Sequence, residues 1–413
     1  MSVCAAPAPL ATWAWQDAGE RLVAPPAVEA ATPYSGWSTA QLLEAITAVV
    51  PPHRPDPGLT LALLTAPWQG EAVRHLREAA DSLRQRLCGE TVTYVVNRNI
   101  NVSNHCVQHC SFCAFRRDPD EDGAYWLQAG DLEHRALAAV HAGACELCLQ
   151  GGLNPAATLE GSQTAYAEQL LQGFLRLAPG LHLHAFSPQE LLFFADQDQL
   201  PLAEVLRRLQ ASGLGSVPGT AAEVLSERVR QRLCPEKLSA RSWVAVVLQV
   251  HAAGLPSTST LMAGHLEQPA DLAAHLLTLV EVQAAAVAKG LPGFSEFVLL
   301  PFVGQAAPTV LRQRVGRDQP DRSAMLELTA LARLILGHWI PNHQPSWVKL
   351  GLDGATEALR WGCNDLGGTL MEEHITTMAG ARGGTAQTPE ALEAAARSLG
   401  RPVRRRTTLY GHP

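Results

Sequence analysis

From residue 92 onward, short runs of apolar and β-branched residues alternate with longer stretches in which apolar positions recur every three or four residues. The first pattern predicts strands buried on both faces and the second predicts amphipathic helices. Their alternation implies βα repeats around a parallel sheet. Strands are expected at 92–101, 145–150, 181–186, 214–217, 257–262, 296–300, 347–350 and 362–365. Helices are expected at 129–142, 166–177, 203–211, 241–253, 270–288 and 323–336, with a short one near Thr356. Eight strands with intervening helices predict an α/β fold of the closed (β/α)8 TIM type.

Ahead of the barrel, Ser38 and Thr39 can cap a helix reaching Val49, and 71–88 reads as a longer amphipathic helix. Behind it, 389–399 reads as a cap helix, and 401–406 as a solvated basic face or contact strip. The expected organisation is therefore an extension (1–35), a helical segment (36–90), the barrel (91–385) and a C-terminal helix with basic tail (386–413). The extension is rich in Ala and Pro, with no basic residue before Arg21 and no cleavable-signal layout. It is expected to be loosely ordered, or draped on the barrel through Trp13 and Trp15.

Composition narrows the class. A net charge of −7 leaves no electrostatic footprint for nucleic acid or an anionic membrane. No apolar run is expected to approach the length needed to span a bilayer. Nine cysteines, an odd number, favour a reducing cytoplasm over disulfides.

In such a barrel chemistry belongs at the C-terminal ends of strands, and the unusual residues fall there. After the first strand, Cys106, Cys110 and Cys113 stand at C-x3-C-x2-C spacing, with Phe112 before the last. A cubane cluster has four irons, so three thiolates cap three of them and leave one open for an outside chelator. A Cys3His zinc knot using His105 or His109 is the competing reading. Gln150, Gly151 and Gly152 follow the second strand, where glycines admit close backbone approach to a ligand; a plain turn is the alternative. His182 and His184 alternate on the third strand, and His184 is either a substrate contact or a satisfied core histidine. Thr220 and Glu223 form a capping-box pattern that accounts for both, unless Glu223 binds a cofactor. Thr258 and Thr260 lie in a hydroxyl-rich strand whose interior hydroxyls suit a ribose or carboxylate. Cys145 and Cys148, three apart on a strand, point to opposite faces and cannot chelate one ion. They and Cys4, Cys88, Cys234 and Cys363 read as small buried apolar residues.

Three further groups of segments carry a resemblance: 92–101 with the cysteine loop, His184-Ala185-Phe186-Ser187-Pro188, and 213–223. Residues 294–302 and Asn364-Asp365-Leu366-Gly367-Gly368 through Glu373 complete it. Over roughly 60–410 the chain resembles radical S-adenosylmethionine (SAM) enzymes, and among them the second-subunit branch of deazaflavin (FO) synthase. The family pattern Thr-Asn-Val-Cys is replaced by Ser103-Asn104-His105-Cys106, which keeps the hydroxyl. The resemblance implies a radical SAM barrel with a 4Fe-4S cluster on Cys106, Cys110 and Cys113 and SAM on the open iron. SAM would contact Gln150, Gly151, Gly152, Glu223, Thr258 and Thr260. It further implies transfer of the 4-hydroxybenzyl group of L-tyrosine to 5-amino-6-(D-ribitylamino)uracil, with iminoacetate released. His184, Asn364, Asp365 and Glu372 are the implied substrate contacts. FO synthase subunit 1, a second radical SAM protein, would close the third ring, and ferredoxin or flavodoxin would supply electrons. Relatives in the futalosine route to menaquinone are the alternative within the superfamily.

Overall fold

The computed structural model describes residues 33–412. Residues 1–32 of the expected extension (1–35), with Trp13, Trp15 and Cys4, lie outside the described residues.

The strands are β1 (Val92–Val95), β2 (Asn97–Asn101), β3 (Glu146–Gln150), β4 (His182–Ala185) and β5 (Leu214–Ser216). They continue as β6 (Ser257–Ala263), β7 (Phe294–Pro301), β8 (His343–Pro345), β9 (Asp365–Gly368) and β10 (Val403–Arg406). β1 and β2 are two halves of one extended segment that changes neighbours at Val96. Every ladder is parallel, running β2-β3-β4-β5, β6-β7-β8 and β10-β1-β9. Backbone bonds close the ring: Thr258 N–H donates to Val217 O at 3.0 Å, and Asn364 N–H to His343 O at 3.1 Å. Counting β1 and β2 as one strand, β2 through β9 form the expected eight-stranded barrel.

The seventh strand is not at 347–350. β8 occupies His343–Pro345, and Trp347–Ala358 is helical, kinked at Gly351. The run Trp-Val-Lys-Leu mimics a buried strand because its apolar residues pack inward from a helix. The last strand lies at Asp365–Gly368, just after the expected 362–365.

The basic tail is not a solvated face. β10 pairs with β1 from Val92↔Val403 to Val95↔Arg406, taking the place beside β1 that β3 takes beside β2. Arg406 is 2% exposed; its guanidinium reaches Asp365 at 2.5 Å and Glu296 at 3.3 Å. Tyr410 donates to Glu296 at 2.5 Å, so the tail plugs the barrel floor with a paired ionic network.

Helices Thr39–Thr47 and Glu71–Cys88 form as expected, and the apolar Pro57–Thr65 forms a third between them, capped by Asp56. Contrary to the expectation from the sequence, Pro269–Ala288 is long and apolar enough, by length and composition, to cross a bilayer. Here it is a barrel-wall helix, mostly buried against its neighbours. All eight cysteines among the described residues are free thiols.

Candidate active site

The loop after β2 is rigid because its own polar side chains tie it down. Ser103 Oγ donates to Tyr125 O at 3.0 Å and accepts from His105 N–H at 3.1 Å. Asn104 Nδ2 donates to Gly123 O at 2.9 Å, and Asn104 Oδ1 accepts from Tyr125 N–H at 2.7 Å. Ser111 Oγ donates to Leu233 O at 2.7 Å, and His109 N–H donates to Glu236 at 2.6 Å. So fixed, Cys106, Cys110 and Cys113 line one cavity of about 360 Å³ at the C-terminal mouth of the barrel.

No group of three or more His, Cys, Asp or Glu among the described residues converges on a single ion-sized point. A cubane spreads its thiolates over separate irons and asks for no such convergence. His105 and His109 do not line the cavity; the His109 imidazole faces Glu236 at 3.2 Å. Burial raises the Cys106 thiol and pushes Cys110 up to about 12, so a bound metal must supply the free energy of deprotonation.

Gly152 N–H donates to Ser103 O at 2.7 Å. A Cβ added there would stand 2.1 Å from His105 O and 2.9 Å from the Cys106 Cβ. The glycine is therefore needed for close packing under the cysteine loop, not for positive φ. Gly151 N–H donates to Glu190 Oε1 at 3.1 Å. Gln150 also lines the cavity, its amide 3.7 Å from the Cys148 sulfur. As expected, Cys145 and Cys148 part company: Cys148 lines the cavity, and Cys145 Sγ contacts the Val96 and Arg406 carbonyls at 3.7 Å.

The capping-box account of Thr220 and Glu223 fails, because no helix starts there; the next is Glu227–Leu233. Glu223 adopts φ 46° and pairs with Lys237 at 2.6 Å, and that ammonium lies 5.3 Å from the Phe112 ring centroid. The ammonium keeps the Glu223 carboxyl below the ordinary range against the opposing effect of burial. Thr258 and Thr260 grip Gly219 from both sides. Thr258 Oγ1 accepts from Gly219 N–H at 2.7 Å, and Thr260 Oγ1 donates to Gly219 O at 2.9 Å. Thr260 faces the cavity; Thr258 acts only through Gly219. Three buried polar atoms on the cavity wall have no partner: Asn99 Oδ1, Asn101 Oδ1 and Thr220 Oγ1. Buried polar atoms are normally bonded, so this wall is built for a polar ligand.

The proposed substrate contacts lie elsewhere. His184 is beneath the cavity, 2.7 Å from Ser216 Oγ, which also meets His182 at 2.7 Å; burial lowers His184 to about 4. Asn364 Oδ1 accepts from Arg333 and from His343 N–H, both at 2.9 Å. Asp365 is bonded to Thr93, Arg406 and Gly367 in the floor. Glu372 pairs with Arg98 at 2.7 Å and Arg135 at 3.1 Å beside a smaller neighbouring pocket. None of the four lines the main cavity; the motif that begins at Asn364 places Asn364, Asp365 and Glu372 near the last strand but not on its inward upper face.

Glu190 does line it, and sequence reading missed it. It is the third residue of a helix capped by Ser187, a capping box that could have been read from Ser-Pro-Gln-Glu. Burial raises its carboxyl to about 7 against the Ser187 and Gly151 hydrogen bonds. The opposite wall, with Phe302, Ser346, Val348, Lys349, Glu373 and Thr376, was also missed. Leu370 (φ 60°) and Met371 (φ 53°) hold the turn above it in left-handed backbone, which residue type does not announce.

The Radical SAM superfamily profile matches residues 100–279, and the CofH/MqnC C-terminal region matches 291–412. The Synechocystis protein named 5-amino-6-(D-ribitylamino)uracil--L-tyrosine 4-hydroxyphenyl transferase is 56% identical over 87% of this chain and 91% of its own. The Gloeobacter violaceus protein of the same name is 58% identical over 82% and 86%.

This chain belongs to that transferase family, within the radical SAM superfamily.

Methylornithine synthase matches in fold at TM-score 0.66 and 16% identity, covering 88% of this chain and 97% of its own. The hydrogenase maturase HydG from Carboxydothermus hydrogenoformans matches at 0.67 and 14%, covering 92% and 82%. Membership implies SAM and a 4Fe-4S cluster. The two matched regions divide the cavity: the cysteines, Gly152, Glu190, Glu223 and Thr260 come from the first, Phe302, Lys349 and Glu373 from the second.

Proposed function

We propose that this chain transfers the 4-hydroxybenzyl group of L-tyrosine to 5-amino-6-(D-ribitylamino)uracil, releasing iminoacetate, in the cytoplasm. The observation that carries the reading is three thiols opening, beside unpaired buried polar atoms, onto one cavity at the barrel mouth. The 56% and 58% identical relatives bear the transferase name, which favours this activity over the futalosine route.

Cys106, Cys110 and Cys113 would hold the cluster, and the backbone of Gln150–Gly152 with Glu190, Glu223, Thr220 and Thr260 would form the SAM side. When bound, the cluster and SAM supply one-electron cleavage to a 5′-deoxyadenosyl radical. The chain's own part is orientation and exclusion. Thr258 and Thr260 lock Gly219, Lys237 holds Glu223 in place, and the tail plug seals the floor against water. A low-potential donor such as ferredoxin or flavodoxin supplies the electron, and a second radical SAM protein, FO synthase subunit 1, takes the product on.

Anaerobic reconstitution followed by incubation with SAM, dithionite, tyrosine and the aminouracil tests this. Iron, sulfide and the coupled product are expected; zinc with negligible iron, or SAM cleavage without product, refutes it. Cys110→Ala is expected to lose both the visible cluster and SAM cleavage, and undiminished cleavage there would unseat the cluster assignment.

A further inference from the structure

Three cationic side chains line the cavity, and two are already engaged. Arg116 is held by Asp118 and by the Cys106 carbonyl at 3.3 Å. Lys237 is spent on Glu223 at 2.6 Å. The ammonium of Lys349, in the turn of helix just after β8, has no hydrogen bond or ion pair with any described residue; its backbone N–H is engaged, by Ser346 O at 3.2 Å. Burial lowers it to about 8, while the charges of Glu373 and Glu223 act in the opposite sense from beyond ion-pair distance. An ammonium left in a cavity without a partner is a standing cost that an incoming anion removes.

The same wall carries the complementary charge. Glu373 is 7% exposed and accepts from Thr376 N–H at 2.9 Å and Thr377 N–H at 3.2 Å, which fixes its carboxylate at the cavity edge. Ser346, one turn from Lys349, makes no capping bond with its hydroxyl. Leu300, Phe302 and Val348 lie on the same wall as an apolar strip suited to an aromatic ring. Of the two substrates, the ribitylaminouracil offers neutral hydroxyls, amides and aryl amines. Only the amino acid brings a full negative and a full positive charge two bonds apart.

We propose that Lys349 and Glu373 are the amino-acid clamp, Lys349 receiving the carboxylate and Glu373 the ammonium of the zwitterion, an assignment that rests on tyrosine being the substrate. The clamp reads the α-carbon substituents and sets where the ring must lie. A phenol lacking either charged group satisfies only half of it.

Calorimetry on the reconstituted, SAM-loaded, unreduced enzyme tests the clamp without turnover. Tyrosine is titrated against tyramine, which lacks the carboxylate, and 3-(4-hydroxyphenyl)propanoate, which lacks the amine. Lys349→Met is expected to weaken tyrosine by about 30-fold or more, as loss of one member of a charged, buried contact does. Tyramine and SAM affinity should stay within about threefold, and Lys349→Arg should recover most of the loss. Glu373→Gln should weaken tyrosine and tyramine but spare the propanoate. Unchanged tyrosine affinity in Lys349→Met overturns the clamp, as does parallel loss of SAM and tyrosine that arginine does not rescue. Product formation by the parent enzyme is assayed alongside. If the parent makes no product from tyrosine, the functional reading falls and the clamp with it; if it makes product while Lys349→Met keeps its tyrosine affinity, only the clamp falls.

Discussion

Gly152 illustrates how far a single side chain reaches in this site. Its missing Cβ is what lets the His105 carbonyl and Cys106 lie directly against the end of β3. Gly152→Ala therefore has nowhere to put a methyl except by lifting the cysteine loop, at a cost of about 2 kcal/mol for overpacking. The expected outcome is a protein that still folds but binds several-fold less iron on reconstitution; full iron content would show that the loop yields freely. Glu190 makes a different prediction. With its folded value raised to about 7 from 4.5, the folded protein keeps a proton that the unfolded chain has lost between those pH values. Stability conferred by this site then falls as pH rises through that window, and the penalty is complete above pH 7. Relative to Glu190→Gln, the parent should lose on the order of 3 kcal/mol between pH 4.5 and 7, followed by the thermal midpoints of both proteins. A gap between them that stays constant with pH would contradict the assignment. The cysteines were legible as residues because spacing alone carries their chemistry. Lys349 was not, because one amine looks like any other until its place on the cavity wall singles it out; Glu190 was missed although its capping box is written in Ser-Pro-Gln-Glu.

At the scale of elements, β10 shows what periodicity leaves unsaid. Arg-Pro-Val-Arg-Arg-Arg reads as surface, since isolated arginines are rarely buried. Arg406, at the end of this half-buried strand, is nevertheless interior because Asp365 and Glu296, brought there by β9 and β7, supply the carboxylates that it needs. Removing a single member of such a set leaves buried charge uncompensated. Arg406→Met should thus cost about 3–5 kcal/mol, measured by denaturant unfolding. A loss below about 1 kcal/mol would mean that water already reaches the floor. The helix from Trp347, expected as a strand, is the converse case. Four residues of mostly apolar character fit either element, and only the completed barrel, with His343–Pro345 already in the seventh place, decides between them.

Across the whole molecule, the sequence by itself determined the α/β class, the count of eight barrel strands and the cysteine triad. Each is encoded locally, in apolar period, in the length of the connecting helices or in the spacing of thiols along one loop. Only the tertiary structure decided which motif residues touch the cavity. Asn364 and Asp365 sit at the start of β9, so the parallel barrel directs them to the floor, where they satisfy Arg333 and Arg406. Lys349, from a segment without an evident signature, and Glu373, at the end of the motif that begins at Asn364, are carried to the mouth opposite the cysteines. The reason is geometric: strand parity and height within the barrel fix the direction and depth of every side chain, and both depend on register against neighbours far away in the chain.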